Sequence, residues 1–106
     1  MQQTGVPSQR GVARAILARC ETVAPVLGSL AHPVRLKILC RLMERECSVN
    51  ELTAFCGISQ SAMSQFLKRM KAQGLVAARR ENQFVFYRIA DARLQRLLGA
   101  LSTIYC

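Results

Sequence analysis

Five cysteines are the residues of this chain best suited to reactive or metal-binding chemistry. They are Cys20, Cys40, Cys47, Cys56 and Cys106. No two of them have the CxxC spacing of zinc ribbons or thioredoxin-type enzymes. Their odd number argues against a structural disulfide framework. The sequence therefore leaves three roles open for these thiols: reactive groups, metal ligands or small buried apolar residues.

A polar stripe between residues 58 and 71 is the second feature with chemical potential. Ile58, Ala62, Phe66 and Met70 recur at four-residue steps, which places them on one side of a helix. Hydroxyl, amide and ammonium groups occupy the other side: Ser61, Ser64, Gln65, Lys68 and Lys71. Such groups suit the base edges and phosphates of DNA, and a merely solvated helix face is the alternative. We predict a recognition helix here.

The charge distribution favours a nucleic-acid partner. The chain has 15 Lys and Arg against 6 Asp and Glu, a net charge of +9 and a pI near 10.2. Between residues 59 and 90 the only acidic residue is Glu81. The basic residues of that stretch are Lys68, Arg69, Lys71, Arg79, Arg80 and Arg88. An anionic polymer is the expected partner.

Length and composition predict one domain in a cytoplasmic protein. We place that domain at residues 10–106, after a disordered tail at residues 1–9. The first residues lack the charged leader and apolar core of an export signal, and no apolar run is long enough to cross a bilayer. We therefore expect a cytoplasmic protein without a membrane partner. Hydrophobic residues make up 51% of the chain, which suggests that a second copy covers part of the apolar surface.

Two helices are predicted in the N-terminal part of the domain. The first runs from residue 10 to about residue 30, and Pro25 should bend it. The His32-Pro33 pair starts the second helix, because a proline in the first helical turn has no hydrogen bond to lose. Apolar positions at helical spacing continue to about residue 45.

A helix-turn-helix is predicted in the centre of the chain. Ser48 and Glu51 form a capping-box pattern at the start of a third helix, which ends at Gly57. Ser59 caps the fourth helix, which contains the polar stripe and runs to Gln73. Two helices joined by so tight a turn are typical of DNA-binding proteins, in which the second helix enters the major groove.

The hydrophobic period changes after Gly74 from helical to alternating, which predicts a β-hairpin. Its strands cover residues 76–80 and 84–89, on either side of the turn Glu81-Asn82-Gln83. Arginines at its edge indicate a DNA-binding wing.

A last helix is predicted after Asp91, which is a suitable N-cap. One of its sides is apolar: Leu94, Leu97, Leu98, Leu101, Ile104 and Tyr105. We expect this stripe to pack against the first helix in a two-fold dimer, and packing inside one chain is the alternative. The predicted fold class is mainly α with a small β-hairpin, a winged helix-turn-helix in the order α-α-α-α-β-β-α, with a homodimer formed through the first and last helices.

Two segments resemble the ArsR/SmtB family of bacterial winged-helix repressors. They are residues 30–39, LAHPVRLKIL, and residues 59–65, SQSAMSQ. Together with the order of elements, the resemblance covers roughly residues 20 to 106. It implies a homodimer that binds double-stranded operator DNA and releases it when an inducer binds.

For a repressor of this kind we expect ten residues to contact DNA. Bases and nearby phosphates would be contacted by Ser59, Gln60, Ser61, Ser64 and Gln65. The backbone would be contacted by Lys68 and Lys71, and the wing would contribute Arg79, Arg80 and Gln83. Relatives commonly have histidine where this chain has Phe66, so any polar or DNA contact of that histidine is lost here. Phe66 suits the core side of its helix.

The resemblance does not extend to the metal sites of the family. The arsenic-type Cys-Val-Cys motif aligns with Ser48-Val49-Asn50, which lacks the thiolate ligands. The zinc-type site uses Asp and His of the last helix, and residues 91–106 contain neither His nor Glu. We therefore expect no metal and no cofactor.

A pair of cysteines resembles the dithiol of the sulfide- and redox-responsive subgroup typified by BigR, SqrR and HlyU. Cys40 follows Leu39 in the second predicted helix, and Cys106 follows Tyr105 at the end of the last one. In that subgroup persulfides, polysulfides or oxidants link the two thiols through a disulfide or a longer sulfur bridge, and DNA binding weakens. The expected inducer is thus a reactive sulfur species or an oxidant.

Two other functions compete with this hypothesis. A thiophilic inducer such as As(III) or Cu(I) would recruit a third cysteine beside Cys40 and Cys106. A thiol-disulfide enzyme is disfavoured, because it would need a low-pKa cysteine beside a resolving partner and the chain has neither CxxC nor a second histidine. We expect no enzymatic activity.

Overall fold

The computed structural model describes residues 8–106 of the chain. Six helices and three strands follow one another there: α1 (Gln9–Leu17), α2 (Cys20–Leu30), α3 (Pro33–Glu44), β1 (Cys47–Ser48), α4 (Val49–Cys56), α5 (Gln60–Ala72), β2 (Val76–Glu81), β3 (Phe84–Ile89) and α6 (Ala92–Tyr105). The predicted tail lies largely outside the described residues, although Ser8 caps α1 by accepting a hydrogen bond from the Gly11 N–H. Within the described residues no single helix is long and apolar enough to span a membrane; α2 and α3 reach that length only as a pair bent by 94°.

The first predicted helix is two helices. The prediction of one helix bent at Pro25 is wrong, because α1 ends at Leu17 and Arg19 leaves the helical region with φ −126° and ψ 19°. The Arg19 N–H donates to Ile16 O, a bond that closes the last turn of α1. Pro25 lies inside α2, which continues past it to Leu30. The chain therefore forms two helices where the spacing of the apolar residues alone predicts one.

The caps of α3 and α4 form as predicted. His32 precedes Pro33, and its Nδ1 accepts a hydrogen bond from the Val34 N–H at 3.1 Å. The Ser48 hydroxyl accepts from the Glu51 N–H at 3.1 Å, while the Glu51 carboxylate accepts from the Ser48 N–H at 2.8 Å. This reciprocal pair is the predicted capping box, and it fixes where α4 begins.

The helix α5 follows from a cap, a turn and a buried face. Gly57 has φ 67°, a left-handed conformation that glycine adopts without strain, so the chain turns sharply after α4. The Ser59 hydroxyl then accepts from the Ala62 N–H at 3.1 Å. Met63, Leu67 and Met70 are buried on the inner side of the helix. Prediction and structure agree for this element.

The wing is the larger part of a small antiparallel sheet with strand order β1-β3-β2. Val76 pairs with Ile89 and Glu81 with Phe84, so the predicted first strand extends one residue further and leaves a two-residue turn. Asn82 has φ 59°, as that kind of hairpin turn requires. The strand β1 was not predicted, because two residues are too few for an alternating pattern; Cys47 pairs with Tyr87.

The core joins the helix-turn-helix to α3, β2 and α6. It consists of Ile38, Leu39, Leu42, Cys47, Leu52, Met63, Leu67, Met70, Leu75, Val76, Leu94 and Leu98. Leu94 and Leu98 are therefore buried within one chain, and their predicted place in the dimer seam is wrong. One face of α6 covers the core of its own chain. By contrast, Ile104 is 70% exposed and Tyr105 is 81% exposed.

Apolar surface remains uncovered at the N-terminal end. All residues of α1 are exposed, and Ile16 and Leu17 keep 49% and 71% of their surface. The radius of gyration is 16.3 Å, whereas a compact chain of this length has about 13 Å. The molecule is therefore elongated, and α1 buries none of its own side chains.

An ion pair joins the wing to the segment before α4. Arg79 Nε lies 2.9 Å from both carboxylate oxygens of Glu46, and Arg79 Nη2 lies 2.7 Å from Glu46 Oε1. The same guanidinium contacts Glu81 at 3.2 Å and lies 4.8 Å from the centre of the Phe86 ring. Hydrogen bonds from Arg79 hold the pKa of Glu46 below its usual range.

We expect Ser48→Ala to reduce the free energy of unfolding by about 1 kcal/mol, because the Glu51 N–H loses its acceptor at the start of α4. Urea unfolding at a fixed chain concentration measures this loss. Ser102→Ala is the matched control: Ser102 is exposed on α6, so this change should cost less than about 0.5 kcal/mol. Equal losses in both variants would contradict the role of the cap.

We expect Glu46→Gln to increase amide hydrogen exchange in β2 and β3, since the wing loses its ion pair. In the native chain the Arg79–Glu46 ion pair is present above the ordinary carboxylate pKa. It is lost as the pH falls through the lowered pKa of Glu46. As the pH falls through that pKa, the exchange rates of the native wing and of the variant's wing should therefore become equal. Glu81→Gln removes only the single contact at 3.2 Å and should have the smaller effect.

Candidate nucleic-acid interface

The outward side of α5 is polar along its whole length. The structure places all five residues of the predicted stripe on the surface: Ser61, Ser64, Gln65, Lys68 and Lys71. Their exposure follows from the burial of the opposite side of the helix. This face carries hydroxyl, amide and ammonium groups and no carboxylate, which suits contact with base edges and phosphates.

The N-terminal end of α5 contacts α4. The Ser59 hydroxyl, predicted to contact DNA, is engaged as the helix cap but remains exposed. Gln60 Nε2 lies 3.5 Å from Asn50 Oδ1, a long contact between the two helices of the helix-turn-helix. Asn50 is exposed as well, so both amides are available at the same surface.

A groove lies between α5 and the wing. It is lined by Ser48, Val49, Asn50, Gln60, Ser64, Gln83, Phe84 and Val85. The structure thus brings together three predicted residues, Gln60, Ser64 and Gln83, from helix and wing. It adds Asn50 and Phe84, which sequence reasoning missed because one lies in a capping segment and the other reads as an ordinary strand residue.

The two arginines of β2 have different surroundings. Arg79 and Arg80 are adjacent in β2, so their side chains leave opposite faces of the strand. Arg79 is held by Glu46, as described above, whereas Arg80 is exposed and makes no ion pair within residues 8–106. The wing therefore presents Arg80, together with Arg88 of β3, as exposed cations without an ion pair in the described residues. The predicted DNA contact of Arg79 would compete with its ion pair.

Phe66 lies on the core side of α5, as predicted. It is partly buried and packs against the core, with its ring centroid 5.0 Å from that of His32. The Arg35 guanidinium lies 6.0 Å from the same ring, while Arg35 Nε donates to Ser29 O at 2.9 Å. Phe66 thereby supports the junction of α2, α3 and α5.

The five cysteines fall into two groups by exposure. Cys20, Cys40 and Cys106 are exposed, whereas Cys47 is buried and Cys56 is partly buried. All five are free thiols. Burial raises the pKa of the Cys47 and Cys56 thiols, which disfavours their reactive thiolate form. Both thiols of the predicted sensing pair are thus at the surface, on α3 and directly after α6.

Residues 8–106 contain no group of three or more His, Cys, Asp or Glu side chains placed to hold one metal ion.

Comparisons with known proteins agree with this geometry. Residues 32–78 match the family described as "Bacterial regulatory protein, arsR family". The chain is 43% identical over 88 residues to the biofilm growth-associated repressor of Xylella fastidiosa, covering 83% of this chain and 77% of that protein.

Two solved structures show the same fold. The crystal structure of the transcriptional repressor BigR from Xylella fastidiosa superposes with a TM-score of 0.83 at 40% identity, covering 89% of this chain and 96% of that one. A homodimeric winged helix-turn-helix domain from Mycobacterium bovis, solved by NMR, gives a TM-score of 0.69 at 29% identity, with coverage of 96% and 89%. The chain therefore belongs to the arsR family of bacterial regulatory proteins and is a winged helix-turn-helix transcriptional regulator of the BigR type rather than an enzyme.

Proposed function

We propose that this chain is a homodimeric transcriptional repressor that binds operator DNA while its Cys40 and Cys106 thiols are reduced. Linking Cys40 to Cys106 by a reactive sulfur species or an oxidant releases the DNA. The observation that carries the first half is the exposed, carboxylate-free face of α5 beside the wing groove. The exposure of both thiols supports the second half.

The proposed DNA-binding surface combines α5 with the wing. Ser59, Gln60, Ser61, Ser64 and Gln65 face the bases and nearby phosphates, and Lys68 and Lys71 face the backbone. Arg79, Arg80 and Gln83 belong to the wing, where Arg80 and Gln83 are exposed and Arg79 also orients the hairpin through Glu46. One rigid surface thus offers base readout and phosphate contact at once.

The dimer covers the apolar residues that one chain leaves in water. On α1 these are Val12, Ile16 and Leu17, and at the end of α6 they are Ile104 and Tyr105. A second copy related by a two-fold axis covers such a surface without a different partner. The axis sets the two α5 helices in successive major grooves, about 34 Å apart, on a palindromic site.

The proposed switch acts at the C-terminal end of α6. Cys106 follows α6 directly, and its neighbours Ile104 and Tyr105 belong to the proposed seam. Cys40 lies on α3, whose other side holds the buried residues Ile38 and Leu39. A bridge would tie the end of α6 to α3 and alter the seam that spaces the two α5 helices. A coupling of about 1 to 3 kcal/mol changes operator affinity about 5- to 150-fold.

Two thiols are needed for a stable oxidised state. A polysulfide or disulfide oxidises one thiol to a mixed species, and the second thiol attacks it and expels the reduced fragment. The two thiols lose two electrons and two protons, which the sulfur oxidant takes up. A single persulfide would be stripped by the thiols of a reducing cytoplasm, whereas an intramolecular bridge persists.

We expect Lys68→Gln to weaken binding to operator and random duplexes alike, because a phosphate contact carries no sequence information. The slope of log K against log salt should fall by about 1.8, since a dimer loses two contacts of about 0.9 each. Fluorescence anisotropy on a duplex selected from a random pool measures both. Lys37→Gln, an exposed lysine on α3, should leave the slope unchanged. A slope unaltered by Lys68→Gln would remove Lys68 from the interface.

We expect Cys106→Ser to bind the selected duplex as tightly as the reduced native chain and to remain bound after polysulfide treatment. Cys20→Ser changes an exposed thiol outside the pair and should release DNA as the native chain does. Intact mass identifies the product: a disulfide lacks two hydrogen atoms, and a longer bridge also gains sulfur. Release by the Cys106→Ser variant, or release by anaerobic As(III) without oxidation, would overturn the dithiol assignment, and the latter would favour a metalloid inducer.

A further inference from the structure

A second cleft borders α5 on the side away from the wing. It lies against the start of α3 and is lined by His32, Arg35, Ala62, Gln65, Phe66 and Arg69. Neither Arg35 nor Arg69 belongs to the predicted DNA contacts. Arg35 donates hydrogen bonds to carbonyls at the end of α2, but this leaves the position of Arg69 unexplained.

The cleft presents hydrogen-bond donors and no carboxylate. Arg69 is exposed, and its guanidinium makes no hydrogen bond or ion pair with any residue from 8 to 106. Arg35 uses Nε and Nη2 on the carbonyls of Ser29 and Gly28, which leaves further N–H groups free. His32 accepts the Val34 N–H at Nδ1, which leaves Nε2 as the ring nitrogen able to donate. Two guanidiniums and an imidazole around one space suit an oxyanion.

The cleft and the wing groove flank the same outward face. At 100° per residue, Gln60 and Ser64 on the wing side lie about 140° around α5 from Gln65 and Arg69. Ser61 and Lys68 point midway between the two pairs. A helix in the major groove has one phosphate strand on each side, and the groove is about 12 Å wide. If the wing contacts one of these strands, the cleft lies on the side of α5 that faces the other.

We propose that this cleft binds a DNA phosphodiester of the strand opposite the wing, with Arg69 as the contacting group. His32 and Arg35 shape the cleft around the Phe66 ring, which is tilted by 58° against the His32 ring. The inference rests on the proposed DNA-binding function and adds a phosphate subsite to it.

The test compares Arg69→Gln with Arg96→Gln on the selected duplex. Arg96 is exposed on α6 and lines neither cleft, so it controls for the loss of one positive charge. Arg69→Gln should lower the salt slope by about 1.8 per dimer, and Arg69→Lys should restore most of the affinity. Arg96→Gln should leave the slope at the native value.

Methylphosphonate substitution identifies the phosphate itself. Duplexes with one neutralised phosphate at a time should include a position that weakens the native chain severalfold and does not weaken Arg69→Gln further. If no such position exists, or if Arg69→Gln and Arg96→Gln alter the slope equally, the proposal is wrong.

A free oxyanion is the competing occupant, and thermal stability without DNA distinguishes it. Sodium sulfate that stabilises the native chain and not Arg69→Gln, together with an unaltered salt slope for that variant, would make the cleft a small-anion site and overturn the proposal. Failure of the native chain to select any duplex from a random pool would instead contradict the DNA-binding function itself.

Discussion

Burial of one side of α5 sets the orientation of the surface that faces outward. Met63, Leu67 and Met70 expose 0%, 1% and 0% of their surface. Each buried side chain of this size contributes about 1.5 to 3 kcal/mol, so the helix cannot rotate without a large loss. The rotational position of Ser61 and Lys68 is therefore set by the core before any DNA is bound. Recognition surfaces held in this way lose little conformational entropy on binding.

The helix-turn-helix and the wing behave as one body because they share residues. Ser48 caps α4, pairs with Phe86 in the sheet and lines the groove beside α5. Glu46, two residues earlier, holds Arg79 of β2. Local hydrogen bonds at the start of α4 thus fix the distance between the recognition helix and the wing. In the proposed dimer, these contacts would leave adjustment to the seam between subunits.

The periphery has the opposite character. Helix α1 and the end of α6 expose apolar side chains, and the exposed thiols Cys20, Cys40 and Cys106 contrast with buried Cys47. The raised pKa of Cys47 suits a structural residue, since a buried thiol stays protonated and unreactive. Under the proposed function, the two sensing thiols are surface groups, so their oxidation would leave the buried core intact.

Elements with local causes are predictable from the amino-acid sequence: the capping box at Ser48, the helix from Ser59 and the hairpin after Gly74. Caps, turns and periodicity act within a few residues, so they can be read from the chain. The separation of α1 and α2 at Arg19 and the burial of Leu94 in the core emerge from the folded structure. Whether an apolar side chain packs in its own core or against a partner depends on how the helices and strands pack together. The spacing of apolar residues along the sequence does not contain that information. The pairing of Glu46 with Arg79 and the cleft around Arg69 likewise join residues that are distant in sequence and become neighbours only after the core has packed.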